Sequence, residues 1–505
     1  MTPFLPKSTL TLVLAAALIS GGFPAQGRAQ QAESQGQEEN LLDGFDATPA
    51  ASKQTKSGKD SDNLLDQFGD APPPAAGASS NRPPEQDTAD VDPGKSWIEL
   101  DGSLGLLTST NYQQDPPLPG RADYRGLSRL KGAWRADLKL DLWGGWDSQI
   151  SGAGFYDWAY GLKGRNQFTR EVLRTHESEA EWRDAFIRGP VFDFMDIKFG
   201  RQIVAWGKSN FLRVVDVLNP LDNREPGMVD VVDLKLPVHM TRVDFYLGDF
   251  NLTGVAVHEI LFNKNPAKGS DFDFYPQPEK EIIPASNSEN TEYGARLAGS
   301  FSGWDAALYY ADYFEDAPHV ELEFTPPIPF PIPVLVHSRL KLRGAGFNVV
   351  AGNWLFKLEG ARVEGLRWSN LDPGDTRSRT DGMAGVEYYG FSDTTIFVEV
   401  LDQRIENYDA RVAASLGAPA EELVQYVAAL NMDFLHKTLH FSGLGMFLGG
   451  KAELGGLQRY SLGYDLMDAW LLTGGVLIFQ GGREPSIATL AAKNDRAFLE
   501  LKFSF

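Results

Sequence analysis

Between residues 96 and 505, apolar and polar side chains alternate with a period of two. Trp134, Ala136, Leu138, Leu140 and Leu142 share one parity; Arg135, Asp137, Lys139 and Asp141 share the other. The last residues repeat the design, with Leu499, Leu501, Phe503 and Phe505 set against Glu500, Lys502 and Ser504. Ile197 and Phe199 oppose Asp196 and Lys198, and Val243, Phe245 and Leu247 oppose Asp244 and Tyr246. Successive side chains of a strand point to opposite faces, so each segment predicts a strand with one apolar and one polar face.

A soluble sandwich shows the same period with its apolar faces turned inward. Three features favour a membrane barrel. Many of the strands are about 10 to 13 residues long, as tilted membrane strands are. Aromatic residues recur near strand ends, at Trp143, Trp146, Trp304 and Trp354, where membrane barrels carry their girdles. Short and long connections alternate, as they do in such barrels. Short turns are expected at Gly144-Gly145, Gly189-Pro190, Gly248-Asp249, Ser302-Gly303, Gly352-Asn353, Ser392-Asp393, His436-Lys437 and Met467-Asp468. Long loops are expected at 111–126, 207–235, 263–290, 370–380 and 481–494. The predicted fold class is all-β, a large antiparallel transmembrane barrel of about 18 strands, with 16 the nearest even alternative. Residues 418–428 read as helix-like inside this pattern.

The N-terminal part differs. Lys7 precedes an uncharged apolar run, Leu10 to Ile19, then small and turn-forming residues up to Ala29. This is the layout of a secretory signal peptide at 1–29. Residues 30–95 read as a disordered acidic periplasmic tail, too poor in large apolar residues to form a core. Within it Asn40-Leu41-Leu42-Asp43-Gly44-Phe45 recurs as Asn63-Leu64-Leu65-Asp66-Gln67-Phe68. Leu41, Leu42 and Phe45, with Leu64, Leu65 and Phe68, are candidate docking residues for a periplasmic or inner-membrane transport partner. A duplication within a linker gives the same repeat.

The net charge of −21 argues against a nucleic-acid partner. The chain has no cysteine, which excludes Cys-ligated haem and iron–sulfur centres. His258-Glu259 is half of a zinc-protease pattern, without the second His at the required spacing. Asp271, Asp273 and Glu279 offer oxygen ligands of the calcium type, but read as solvating charges in a loop. No enzyme, metal or cofactor is expected. The expected partners are outer-membrane lipid and the barrel-insertion machinery. For the latter, the terminal Phe505 looks like a recognition signal.

An 18-stranded barrel is wide enough to hold an aqueous lumen. The inward charged set includes Arg135, Asp137, Lys139, Lys357 and Glu359. Residues 207–235 are too apolar for a free outer loop: Phe211, Leu212, Val214, Val215, Val217 and Leu218 call for burial. Folded inward, this loop brings Arg213, Asp216, Asp222, Arg224, Asp230 and Asp233 to a constriction. Packed at the barrel mouth, it buries the same apolar residues without narrowing the lumen.

The run Gly200-Arg201-Gln202-Ile203-Val204-Ala205-Trp206-Gly207, followed by Val217-Leu218-Asn219-Pro220-Leu221-Asp222, resembles a bacterial outer-membrane family, number 1302 of the unknown-function series. The resemblance implies a large porin-like barrel and transport, often beside inner-membrane exporters of the resistance-nodulation-division class. The functional expectation is an outer-membrane channel passing small solutes through a charged lumen constricted by 207–235. The alternative is the outer-membrane component of an export system that delivers hydrophobic or lipid-like cargo from an inner-membrane pump. A purely structural barrel is a third possibility if the lumen is plugged.

Overall fold

The computed structural model describes residues 97–117, 120–229, 234–274, 278, 280–324, 330–372, 374–417, 419–483 and 486–505. The expected signal peptide and tail, and the repeat with Leu41, Leu42, Phe45, Leu64, Leu65 and Phe68, lie outside the described residues.

The described residues form twenty-one strands. The first seven are β1 (Ile98–Asn111), β2 (Gly126–Asp141), β3 (Asp147–Asp157), β4 (Ser178–Phe192), β5 (Met195–Gln202), β6 (Val238–Leu247) and β7 (Phe250–Val257). A two-residue β8 (Glu281–Ile282) precedes β9 (Glu292–Phe301) and β10 (Trp304–Phe314). The short β11 (His319–Glu323) and β12 (Ile332–Val336) follow. Then come β13 (Arg339–Ala351), β14 (Trp354–Leu366), β15 (Arg377–Phe391), β16 (Thr394–Ile405), β17 (Glu422–Phe434) and β18 (Leu439–Leu448). The last three are β19 (Gly455–Met467), β20 (Trp470–Gly481) and β21 (Arg496–Ser504).

Eighteen of these form one antiparallel sheet, and β1 pairs with both β2 and β21, so the sheet closes on itself. Closure leaves no unpaired edge, which a spanning sheet cannot tolerate in lipid. Phe505 helps to seal the seam: its N–H and C=O each bond to Gly102, at 3.0 and 2.9 Å. The three short strands β8, β11 and β12 form a separate small sheet on the long-loop side.

The alternating faces fall as their parity predicts. Outward Leu100, Trp134, Leu308 and Leu358 are 58, 43, 60 and 53% exposed, whereas inward Lys357, Glu359 and Glu399 are 5, 5 and 2% exposed. A soluble sandwich shows the reverse, so the apolar face is the lipid face. Exposed Trp143, Phe194, Phe250, Trp304 and Trp354 gather at the short-turn rim. Neighbouring rings pack together there: Phe301 and Trp304 stack with centroids 4.3 Å apart, and Trp354 and Tyr388 meet tilted at 4.4 Å.

Two expectations from the sequence need correction. Gly189-Pro190 is not a turn but part of β4; the turn falls at 193–194. Gly189 is there for space, since a Cβ would sit 2.3 Å from the Trp146 ring. The helix-like stretch is strand from Glu422 onward, while Ala418 lies outside the described residues. Leu423, Gln425, Val427 and Ala429 are all buried on one parity, and the ladders to β16 and β18 override helix propensity.

The ladder also imposes a glycine. Gly200 has φ of 128°, and a Cβ there would lie 2.3 Å from the Ala185 carbonyl oxygen. Gly200→Ala should therefore destabilise the folded barrel by about 1–3 kcal/mol. A lower urea midpoint in lipid vesicles checks this; an unchanged midpoint would show that the backbone relaxes freely.

Candidate functional site: a loop across the lumen

Between β5 and β6, residues 203–229 and 234–237 leave the wall and turn inward. Their apolar side chains Val204, Trp206, Phe211, Leu212, Val214, Val215 and Leu218 are all buried. They pack on inward residues of the wall, such as Met240, Tyr309, Leu342, Val363, Met383 and Leu401. The inward reading thus holds over the mouth-packed one, because the barrel interior is the apolar surface that this loop covers.

Asn219 pinches the two stems of the loop together. Its Oδ1 accepts from Val204 N–H at 2.8 Å, and its Nδ2 donates to the carbonyls of Gln202 at 3.2 Å and Leu236 at 3.0 Å. The Leu236 N–H donates to the Pro220 carbonyl at 2.8 Å. The asparagine is fully buried, so its amide replaces backbone partners that the stems would otherwise lack.

One end of the loop is gripped by wall carboxylates. Glu359 on β14 accepts from the N–H groups of Lys208 and Ser209, the latter at 2.6 Å. Glu399 on β16 accepts from Ser209 Oγ at 2.6 Å, Asn210 N–H at 2.8 Å and Phe211 N–H at 3.2 Å. Lys208 pairs with Asp305 on β10. Asn210 donates to Glu387 and accepts from Lys357, both at 2.7 Å. Gly207 allows this approach: its φ is 99°, and a Cβ would come within 3.0 Å of a Glu359 oxygen.

The other end carries the opposite charge. Glu225 pairs with Arg129 at 2.6 Å and Lys131 at 2.7 Å, both on β2. Burial pushes the Glu225 carboxyl up, but Arg129, Lys131 and His176 overcome this and hold it below the usual carboxylate range. Going round the ring of eighteen strands, β14 is the ninth strand from β2 in either direction. The loop therefore runs along a diameter of the lumen, donating at one wall and accepting at the other.

The expected constriction residues brace this span. Arg213 donates to the carbonyls of Asp216 at 2.6 Å and Asn219 at 2.8 Å, and Asp216 pairs with Lys235 at 2.5 Å. Arg224 pairs with Asp222 at 2.5 Å and Glu179 at 2.6 Å. Lys357 and Glu359 belong to the carboxylate grip. Arg135, Asp137 and Lys139 lie further along β2 toward the short-turn rim, with Arg135 paired to Asp137 at 2.8 Å and Lys139 to Asp101 at 3.5 Å. Asp230 and Asp233 lie outside the described residues.

The sequence reading missed Lys208, Ser209, Asn210 and Glu225. A polar tripeptide behind Gly207, in an otherwise apolar run, was the available signal. Asp271 pairs with Arg496 at 2.9 Å and Asp273 accepts from Gly269 N–H at 2.7 Å, while Glu279 lies outside the described residues. Among the described residues, no group of His, Asp and Glu side chains is arranged to hold a metal ion.

A closed antiparallel barrel with an apolar outer face and a filled lumen defines the class: a transmembrane β-barrel. Residues 121–505 match the family model described as Protein of unknown function (DUF1302), and the chain belongs to that family. No curated protein sequence matches it. Solved barrels of similar outline include OccK8 (OprE) of Pseudomonas aeruginosa, at 11% identity, covering 81% of this chain and 98% of that one, with a TM-score of 0.46. OccAB4 of Acinetobacter baumannii is 9% identical over 82% of this chain and 99% of that one, with a TM-score of 0.49. A BenF-like porin from Pseudomonas fluorescens is 8% identical over 81% and 97%, with a TM-score of 0.46. The overlap is too loose for anything to pass from these proteins to this chain.

The grip predicts a labelling result. The chain has no native cysteine, so Leu212→Cys reports the loop alone. Each charge-assisted bond contributes about 1.5–3 kcal/mol. Glu359→Gln with Glu399→Gln should therefore speed maleimide labelling at position 212 by about tenfold or more. Equal rates in both backgrounds would show that the carboxylates do not hold the loop.

Proposed function

We propose that the protein is an outer-membrane channel for small polar solutes, closed at rest by the loop that crosses its lumen. The observation that carries this reading is the diametric span from the Glu359 and Glu399 grip to the Arg129 and Lys131 pair. A barrel with a purely structural role has no need of charged contacts at both ends of an internal loop. Apolar packing alone closes a lumen, whereas charged ends give a closure that ions and polar solutes can compete with. Polar permeants suit the wall, since Arg135, Asp137, Lys139 and Lys502 line the inward face.

The outward apolar band meets outer-membrane lipid in this proposal. Phe505 serves the insertion machinery as well as the seam. The two Leu-Leu-Asp-x-Phe repeats of the tail would dock a periplasmic or inner-membrane partner. The export alternative draws its support from that tail alone.

Planar bilayer recordings test the channel. The intact protein should give small or infrequent ion steps. A variant with residues 207–229 replaced by a short Gly-Ser linker should give large, stable ones. Silence from both, in barrels shown to be folded, contradicts the channel.

A further inference from the structure

Two long loops meet at one buried histidine. His337 lies just after β12, with its side chain fully shielded. Its Nδ1 is 2.6 Å from the Glu315 carbonyl oxygen, and its Nε2 is 2.9 Å from a Glu281 carboxylate oxygen. Its ring stacks on Phe262, with centroids 3.3 Å apart and planes within 5°. Phe262 and Glu281 come from the loop between β7 and β9; Glu315 and His337 come from the loop between β10 and β13.

Both ring nitrogens face acceptors. A neutral imidazole has one N–H and one bare lone pair, so it satisfies one of these contacts and opposes a lone pair to the other. Only the imidazolium donates to both.

The same segment reaches the inward loop. Asp316, next to Glu315, lies 3.7 Å from the Arg213 guanidinium. Arg213 in turn holds the carbonyls of Asp216 and Asn219. We propose that His337 is a proton-dependent latch, which in its charged form ties the small outer sheet of β8, β11 and β12 to the barrel mouth.

The groups around the latch act in one direction. Burial raises the Glu315 carboxyl to about 7, against the opposing pull of Arg379 and His337 and with the help of Asp316. Burial likewise raises Asp316 to about 6, against Arg213 and His337 and with the help of Asp216. Glu292 on β9 also faces Asp316. His319 of β11 stands beside His337, bonded to Glu321 at 3.0 Å and Ser338 at 3.3 Å. A carboxyl raised by burial adds stability that is fully present below its ordinary value and is lost as pH rises from there through the raised one. His337 works in the same sense by geometry, since both acceptors are met only when each ring nitrogen carries a proton. The assembled mouth is thus tightest in acid and loosens as pH rises, up to about 7 for Glu315 and about 6 for Asp316.

This latch rests on the channel reading for its consequence, but not for its existence. Hydrogen exchange of 280–282, 315–323 and 332–338, in the full protein in lipid, reads the latch directly. After correction for the intrinsic pH dependence, protection should fall as pH rises from about 4.5 to about 7, by up to tenfold per pH unit for each proton lost. His337→Gln should flatten that dependence. Glu281→Gln, whose amide can donate to a neutral ring, should move it to lower pH while leaving the barrel folded. Protection that does not change with pH in the native protein, or an unchanged profile in both variants, overturns the latch. A pH-dependent mouth over a silent barrel would keep the latch and remove the channel.

Discussion

The structure depends on how an eighteen-stranded ring fills a lumen that its own side chains cannot fill. Smaller barrels close their interior with wall residues alone. Here the inward wall presents carboxylates on one side and cations on the other, and a single loop compensates both. Glu359 and Glu399 receive four backbone N–H groups and one hydroxyl from residues 208–211. Arg129 and Lys131 receive the carboxylate of Glu225. Removing one partner of a buried ionic contact leaves an uncompensated charge and costs about 3–5 kcal/mol. The loop is therefore not a passive filler, and the wall charges are not interchangeable decoration.

The motif at 200–222 takes its physical meaning from that span. Gly200 lets β5 pass close beneath the Ala185 carbonyl, and Gly207 lets a carboxylate reach the chain. Trp206 packs toward Tyr309, with centroids 5.7 Å apart. Asn219 gathers both stems, and Asp222 fixes Arg224 on Glu179. Gly200, Trp206, Gly207, Asn219 and Asp222 of the runs that carry the family resemblance thus build or position the crossing loop.

Much of the fold was legible because a barrel wall repeats one rule. The period of two, the aromatics at strand ends and the alternating turn lengths are local signals, and each survives into the structure. The failures were local as well. Gly189 looked like a turn because glycine for conformation and glycine for space are identical in sequence. Residues 418–428 looked helical because alanine propensity is read without knowing the neighbouring ladders. The apolar content of the loop and two wall residues that hold it, Lys357 and Glu359, were legible, but their pairing with residues 208–210 was not. Glu359 and Lys208 are 151 residues apart, and no periodicity links a wall position to the loop residue that meets it.

The most direct test of the crossing loop is a cross-link between loop and wall. Val215 packs against Gly344, where a Cβ would lie 2.6 Å from Val215 Cγ1, so side chains at the two positions are in direct contact. With Val215→Cys and Gly344→Cys in the cysteine-free chain, conductance should be locked low under oxidation and return on reduction. The disulfide should form without a long spacer. Failure of the pair to cross-link in folded barrels, or conductance indifferent to the bond, would contradict a loop that crosses and closes the lumen.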